Sequence, residues 1–384
     1  METKQEKRII QIASPCFGEE EWEALREPIV SGWITQGPKV AEFEKLFAER
    51  HKVKYAVAVS SCTAALHLAL LAIGIGPGDE VLVPAFTWIA TANAVLYCGA
   101  TPVFVDIDPR TFNIDPSNVK EKITARTKAI IPVHLFGLCA DIHAIRNIAP
   151  HLKIVEDAAC AAGAAYKEES AGGLGDIGCF SFHPRKSITT GEGGMVTTND
   201  DALAKKVDIM RNHGASISEE IRHRMSKPHF IPDFDIMGFN YRMTDLQGAV
   251  GVVQIKKLNQ FIRERQQWAD CYSNAFQDIS WMRIPQVPEK YEHGWQAYVV
   301  WIDEGKSPLT RNEIMEYLQE KGIATRPGTH AVHALHFYTR KYNIKPSDYP
   351  NAYAASKFSM AIPLHNHLSD EDYEYIIHSI KSLT

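Results

Sequence analysis

Between residues 50 and 200, short runs of β-branched and apolar residues alternate with segments whose apolar positions recur every three to four residues. This pattern predicts a parallel α/β construction. Strands are expected at Tyr55–Ser60, Glu80–Pro84, Pro102–Asp108, Ala129–His134, Lys153–Asp157 and Cys179–His183. Helices are expected from Thr63 onward and near Ile89–Tyr97. The strand runs are nearly continuously apolar, as expected where helices cover both faces of a sheet. A long helix is expected over Met243–Phe276, with apolar Leu246, Val250, Val253, Leu258, Ile262, Trp268 and Tyr272. Beyond it, a strand at Ala297–Ile302 and helices at Arg311–Lys321 and Asp370–Leu383 suggest a smaller α+β lobe. The expected division is a large domain with an N-terminal arm over 1–250 and a small domain over 251–384.

Composition agrees with an ordinary globular protein: 384 residues, 45% hydrophobic and 23% charged. The net charge of −5 comes from scattered groups, so no basic face suggests a nucleic-acid partner. Cys16, Cys62, Cys98, Cys139, Cys160, Cys179 and Cys271 form no C-x-x-C pair, which argues against a zinc knuckle or disulfide framework. Residues 1–15, METKQEKRIIQIASP, lack the apolar stretch of a signal peptide, and no run of about 18 apolar residues occurs. A cytoplasmic location with no membrane partner is therefore expected.

Four signals fall at expected strand ends, where ligands bind in open α/β sheets. Asp157 closes an apolar strand, and a carboxylate there is costly without a cation. It suits the protonated ring nitrogen of a pyridoxal phosphate (PLP) cofactor, or alternatively a helix cap. Lys186 lies among small polar residues in Ser181-Phe-His-Pro-Arg-Lys-Ser-Ile-Thr-Thr-Gly-Glu-Gly-Gly and suits a Schiff-base lysine, although most lysines are surface charges. Ser60-Ser-Cys-Thr-Ala-Ala-Leu offers the N–H groups of a helix start as a phosphate cradle, or an ordinary cap. Trp88 could stack on an aromatic cofactor or sit in the core.

Taken in order, these landmarks resemble the DegT/DnrJ/EryC1/StrS family of sugar aminotransferases, among the fold type I PLP enzymes. Further landmarks of the resemblance are Trp33-Ile-Thr-Gln-Gly-Pro, Val155-Glu-Asp-Ala-Ala, Gly175-Asp-Ile-Gly-Cys-Phe-Ser-Phe and Asn240-Tyr-Arg-Met-Thr-Asp. The resemblance implies an aspartate-aminotransferase-like fold, with a mostly parallel central sheet flanked by helices and a smaller C-terminal α+β domain. It implies Lys186 as the catalytic, cofactor-linked lysine and Asp157 as partner of the ring nitrogen. Trp88 would cover the ring, and Cys62, Thr63 and Ser181 would hold the phosphate. Asn240 resembles a residue that reaches the phosphate of a neighbouring subunit, which implies a homodimer with shared sites. Thr35, Arg242, Arg326 and His330 are the expected substrate-binding residues; a surface ion pair is the alternative for Arg242.

One position departs from the family. Relatives often carry Gln or His three residues after the aspartate, where contact with the cofactor is made; this chain has Cys160, a poor hydrogen-bonder. Relatives that act as 3-dehydrases carry His in place of the lysine, so Lys186 favours amino transfer. Its freed amine is expected to be close to neutral through burial and its neighbours. The resemblance implies L-glutamate as donor and a nucleotide-linked keto-deoxysugar as acceptor. The Lys186-Ser-Ile-Thr-Thr-Gly-Glu-Gly-Gly run resembles relatives acting at C4. Other PLP chemistry on a sugar, such as dehydration or epimerisation, and a non-catalytic PLP-binding regulator remain the alternatives. His330, His333 and His336 lack a supporting carboxylate motif, so substrate contact or packing is expected there rather than a metal.

Overall fold

The computed structural model describes residues 9–215 and 233–384. Its main sheet contains β1 (Tyr55–Val59), β2 (Glu80–Pro84), β3 (Thr101–Val105), β4 (Thr127–Ile130), β5 (Lys153–Asp157), β6 (Ile177–Ser181) and β7 (Gly194–Thr198). Their order is β1-β7-β6-β5-β4-β2-β3. Strands β6 through β3 are parallel, and β7 is antiparallel to both neighbours. Residues 182–193 make turns instead of a crossover helix, so the chain doubles back as β7. The C-terminal ends of β1, β2, β5 and β6 consequently lie along one edge, together with the start of β7.

Helices cover both faces, among them α1 (Pro38–Arg50), α2 (Cys62–Ala72), α3 (Ala90–Tyr97), α4 (Ile142–Ile148) and α5 (Asp201–Arg211). The two-residue strand period divides the core. Val57, Val59, Val81 and Val83 pack with α2 and α3, while Ala56, Ala58 and Leu82 pack with Phe43 and Phe47 of α1. A 32-residue helix, α6 (Asp245–Phe276), begins at a capping box between Thr244 and Gln247. Its early residues Val252, Ile255, Leu258 and Phe261 join the α1 side of the core. Its later residues Ala269, Tyr272 and Phe276 join a separate core in the C-terminal lobe.

That lobe holds an antiparallel sheet of β8 (Met282–Arg283), β9 (Tyr298–Ile302), β10 (Arg326–Pro327) and β11 (Ser359–Ile362), in the order β8-β9-β11-β10. Ile314 and Leu318 of α7 (Arg311–Glu320) and Tyr373, Ile376 and Ile380 of α8 (Asp370–Lys381) share its core. The boundary expected at residue 250 falls inside the continuous α6. In the N-terminal arm, Ile10 bonds to Gly322 and Ala324 of the C-terminal lobe. The first eight residues of the arm lie outside the described part.

The differences from the expected elements have local causes. The strand expected to reach His134 stops at Ile130, just before Pro132, which has no N–H for a ladder. The strand β7 and helices α1 and α5 were not anticipated; a run of glycines before β7 reads as a turn alone. After Asp157 the chain turns without forming a helix, so Asp157 is not a helix cap.

Candidate active site at the shared strand edge

Asp157 is the last residue of β5 and is only 5% exposed. Its backbone is fixed on both sides: its N–H donates to Pro132 O at 2.9 Å, and its carbonyl accepts from His134 N at 3.0 Å. Its Oδ2 accepts from the Thr91 hydroxyl at 2.8 Å and its Oδ1 from Ala159 N at 3.2 Å. Thr87 Oγ1 lies 3.0 Å from Thr91 Oγ1 and extends the chain. Burial raises the Asp157 pKa; the bonds from Thr91 and Ala159, and the charge of Lys186, oppose that rise incompletely. A carboxylate in this position has an unmet demand for a cation.

Beneath it, Glu156 is fully buried and accepts from Gly172 N at 2.7 Å, Gly175 N at 2.6 Å and His134 Nε2 at 2.7 Å. His134 Nδ1 accepts from Ala140 N at 3.0 Å, so the ring proton lies on Nε2 and is donated to Glu156. This network fixes the end of β5.

Lys186 sits in the turn between β6 and β7, half-buried, and its Nζ donates to Cys160 Sγ at 3.2 Å. Burial acts to lower its pKa, as expected, but Cys160, Cys62 and Asp157 together outweigh it and leave the pKa above the ordinary lysine value. In the cofactor-free chain Cys160 and Asp157 thus favour the ammonium form.

At the start of α2, Ser61 Oγ caps Ala64 N at 3.1 Å. The N–H groups of Cys62 and Thr63 lie in the first turn, where they have no partner inside the helix. A Cβ on Gly194 would come within 2.6 Å of Cys62 N, so glycine allows β7 to approach this helix start. Ser181, half-buried, pairs with Gly194 across the ladder. A helix start with N–H groups free of intrahelical partners, a lysine and a buried carboxylate thus share one edge.

The residues His330–Ala331 pair with Phe86–Thr87 and bring the C-terminal lobe to this edge. Trp88 is 59% exposed and meets the His330 ring edge-on at 5.4 Å. With Arg185 and Arg326 they line a cavity of about 490 Å³, whose lining includes no aspartate or glutamate. Neither arginine has an ion pair among the described residues. Three expected residues do not line this cavity. Thr35 is exposed and its carbonyl accepts from Asp245 N at 3.0 Å. Asn240 is exposed. Arg242 donates to Asn212 Oδ1 at 2.8 Å and makes no ion pair among the described residues. His333 is buried while His330 and His336 are exposed. Among the described residues no group of three His, Cys, Asp or Glu could hold a metal ion.

Sequence reasoning missed Thr91, the Glu156–His134 pair and Arg185. Thr91 follows Trp88 by three positions at a helix start, and Arg185 adjoins Lys186; both spacings were available as signals.

The model of the DegT/DnrJ/EryC1/StrS aminotransferase family matches residues 15–381. The chain is 40% identical over 372 residues to the spore coat polysaccharide biosynthesis protein SpsC of Bacillus subtilis, covering 96% of this chain and 95% of that protein. It is also 40% identical over 372 residues to GDP-perosamine synthase of Caulobacter vibrioides, covering 96% of each. The PLP form of the putative sugar aminotransferase Spr1654 from Streptococcus pneumoniae superposes with a TM-score of 0.90 at 31% identity, covering 98% of both chains. Helicobacter pylori PseC, an aminotransferase involved in the biosynthesis of pseudoaminic acid, gives 0.90 at 28% identity, covering 98% of this chain and 99% of that one. The donor set here fits PLP: a buried carboxylate for the ring nitrogen, a lysine amine for the aldehyde, and free helix N–H groups for the phosphate.

Proposed function

This chain belongs to the DegT/DnrJ/EryC1/StrS aminotransferase family and is a PLP-dependent sugar aminotransferase; we propose that it moves the amino group of L-glutamate to C4 of a nucleotide-linked keto-deoxysugar. The observation that carries this substrate class is the cavity reached by Arg185, the chain neighbour of Lys186; it is cationic through Arg185 and Arg326, walled by Trp88 and His330, and without a carboxylate in its lining. Both substrates are anions, and guanidinium groups match carboxylate and phosphate oxygens in pairs. Similarity to GDP-perosamine synthase supports the nucleotide-linked class, and the run from Lys186 to Gly194 supports C4.

Bound PLP supplies an electron sink that accepts an amino group from one substrate and passes it to the next. In this reading Asp157, held by Thr91, keeps the ring nitrogen protonated. The N–H groups of Cys62 and Thr63, with the hydroxyls of Thr63 and Ser181, hold the phosphate, and Trp88 covers the ring. Cys160 lies beside the lysine. Lys186 would hold the cofactor through its amine and, when free, would act as the general base and acid that carries the substrate proton. Asp157, one of the groups that favour the ammonium form of Lys186, would instead face the cationic ring nitrogen of a bound cofactor, which would ease loss of the lysine proton. Arg326, His330, Thr35 and Arg242 contribute to substrate binding. Exposed Asn240 reaches the phosphate of a second copy in a homodimer. A reducing, cytoplasmic setting suits the seven free cysteines.

The test is a panel of nucleotide ketosugars offered to the PLP-loaded protein with glutamate. The reading expects 2-oxoglutarate in step with an amino sugar whose nitrogen is at C4 by NMR. Absence of keto acid with every sugar would overturn it.

A further inference from the structure

We infer that Cys160 is a positioning residue whose thiol shares one proton with the Lys186 amine and so sets how readily that lysine takes and releases its proton. The inference rests on the proposed role of Lys186 but not on the identity of the sugar or donor.

The geometry is direct. Cys160 follows Asp157 by three residues in the turn after β5, where Ala161 N bonds back to Ala158 O at 2.9 Å. This turn holds Sγ 3.2 Å from Lys186 Nζ. A lysine ammonium only donates, whereas a thiol can donate weakly or, as thiolate, accept strongly. Their ordinary pKa values differ by only about two units, so a contact pair has two accessible forms, amine with thiol and ammonium with thiolate.

The other groups facing the amine do not substitute for Cys160. Cys62, at the start of α2, is a thiol that burial pushes well above its ordinary pKa, so it stays protonated. Asp157, at the end of β5, is committed to Thr91 and to Ala159 and would serve the ring nitrogen. His183 and Arg185 flank Lys186 on its own segment; burial lowers the His183 pKa, Glu192 opposes that, and the charges of Lys186 and Arg185 add to it. Among the described residues, Cys160 is the one side chain that hydrogen-bonds Nζ. Its sulfur is also the largest influence holding the lysine pKa up against burial.

The experiment uses the full-length, cofactor-free protein, for which no substrate need be known. PLP is added at a series of pH values, and its capture is followed by visible absorbance. Capture needs the neutral amine, so its pH midpoint reports Lys186. In both Cys160→Ala and Cys160→Ser that midpoint should fall by roughly one to three units, the effect of removing an opposite charge at contact distance. A wild-type midpoint in Cys160→Ser would mean the residue acts only as a hydrogen-bonding group and would overturn proton sharing, as would an unchanged midpoint in both variants. The reciprocal measurement is alkylation of Cys160 by iodoacetamide at neutral pH, followed on its peptide by mass spectrometry. If the two groups share a proton across the 3.2 Å contact, alkylation should be several-fold slower in Lys186→Met; equal rates would count against the pair. Failure of the wild-type protein to capture PLP at all would instead sink the aminotransferase reading itself.

Discussion

The Thr91 hydroxyl donates to Asp157 Oδ2 at 2.8 Å, and both residues are buried. A carboxylate in that setting is desolvated before any cofactor arrives, and one short donor does not replace its lost water.

Replacing Thr91 with Val therefore leaves one carboxylate oxygen without its donor. Stability should fall by about 1–3 kcal/mol, measured by urea unfolding of the cofactor-free protein, and PLP should be held less tightly. Thr91→Ser should restore most of both.

The raised pKa of Asp157 also fixes the sign of a pH effect. A folded-state carboxyl pKa above the unfolded value means that the folded form binds the proton more readily. Its contribution to stability is favourable below the unfolded value and is lost as pH rises through the folded one. Asp157→Asn should therefore leave the melting temperature of the cofactor-free protein at neutral pH unchanged or higher. The same variant should lose PLP on dialysis, because the ring nitrogen has no anion to meet. A large loss of cofactor-free stability would contradict this account of Asp157.

Glu156 acts by a different route. Glu156→Ala removes the acceptor of three donors, the buried Gly172 N–H and His134 Nε2 and the part-buried Gly175 N–H. Breaking such a buried charged network should cost about 3–5 kcal/mol, visible in denaturant unfolding with and without PLP.

Much of this arrangement was legible in the chain. The strands β1, β2 and β5 are apolar because both their faces are covered, and such runs stand out. Asp157 and Lys186 were visible as polar residues placed where apolar strands stop. The partners were hidden because they depend on register. Nothing in the spacing of His134 and Glu156, 22 residues apart, reveals that β4 and β5 are neighbours. Thr91 reads as an ordinary helical threonine until β2 and β5 are placed in one sheet, with β4 between them. The strand β7 was masked by Gly191, Gly193 and Gly194, whose run signals a turn and not the close approach that Gly194 makes to Cys62.

That approach yields a further prediction. In Gly194→Ala the new methyl would meet Ser61 C at 2.5 Å and Cys62 N at 2.6 Å. Overpacking of this kind costs about 1–3 kcal/mol, and here it pushes on the proposed phosphate cradle. Affinity for PLP should fall more than affinity for pyridoxal, which lacks the phosphate; equal losses would dissociate the helix start from phosphate binding.

The cationic cavity can be tested by kinetics. Arg185→Ala and Arg326→Ala each remove one charge-assisted donor, worth about 1.5–3 kcal/mol. KM for an anionic substrate should rise by about 10- to 150-fold, in line with that energy. Half-reactions run separately with glutamate and with the nucleotide sugar would show which anion each arginine meets.

The most direct test of the account is reduction of the PLP-loaded protein with borohydride, followed by peptide mass spectrometry. The account predicts phosphopyridoxyl label on Lys186, and its loss together with turnover in Lys186→Ala. Label on another lysine, or turnover retained without Lys186, would contradict it.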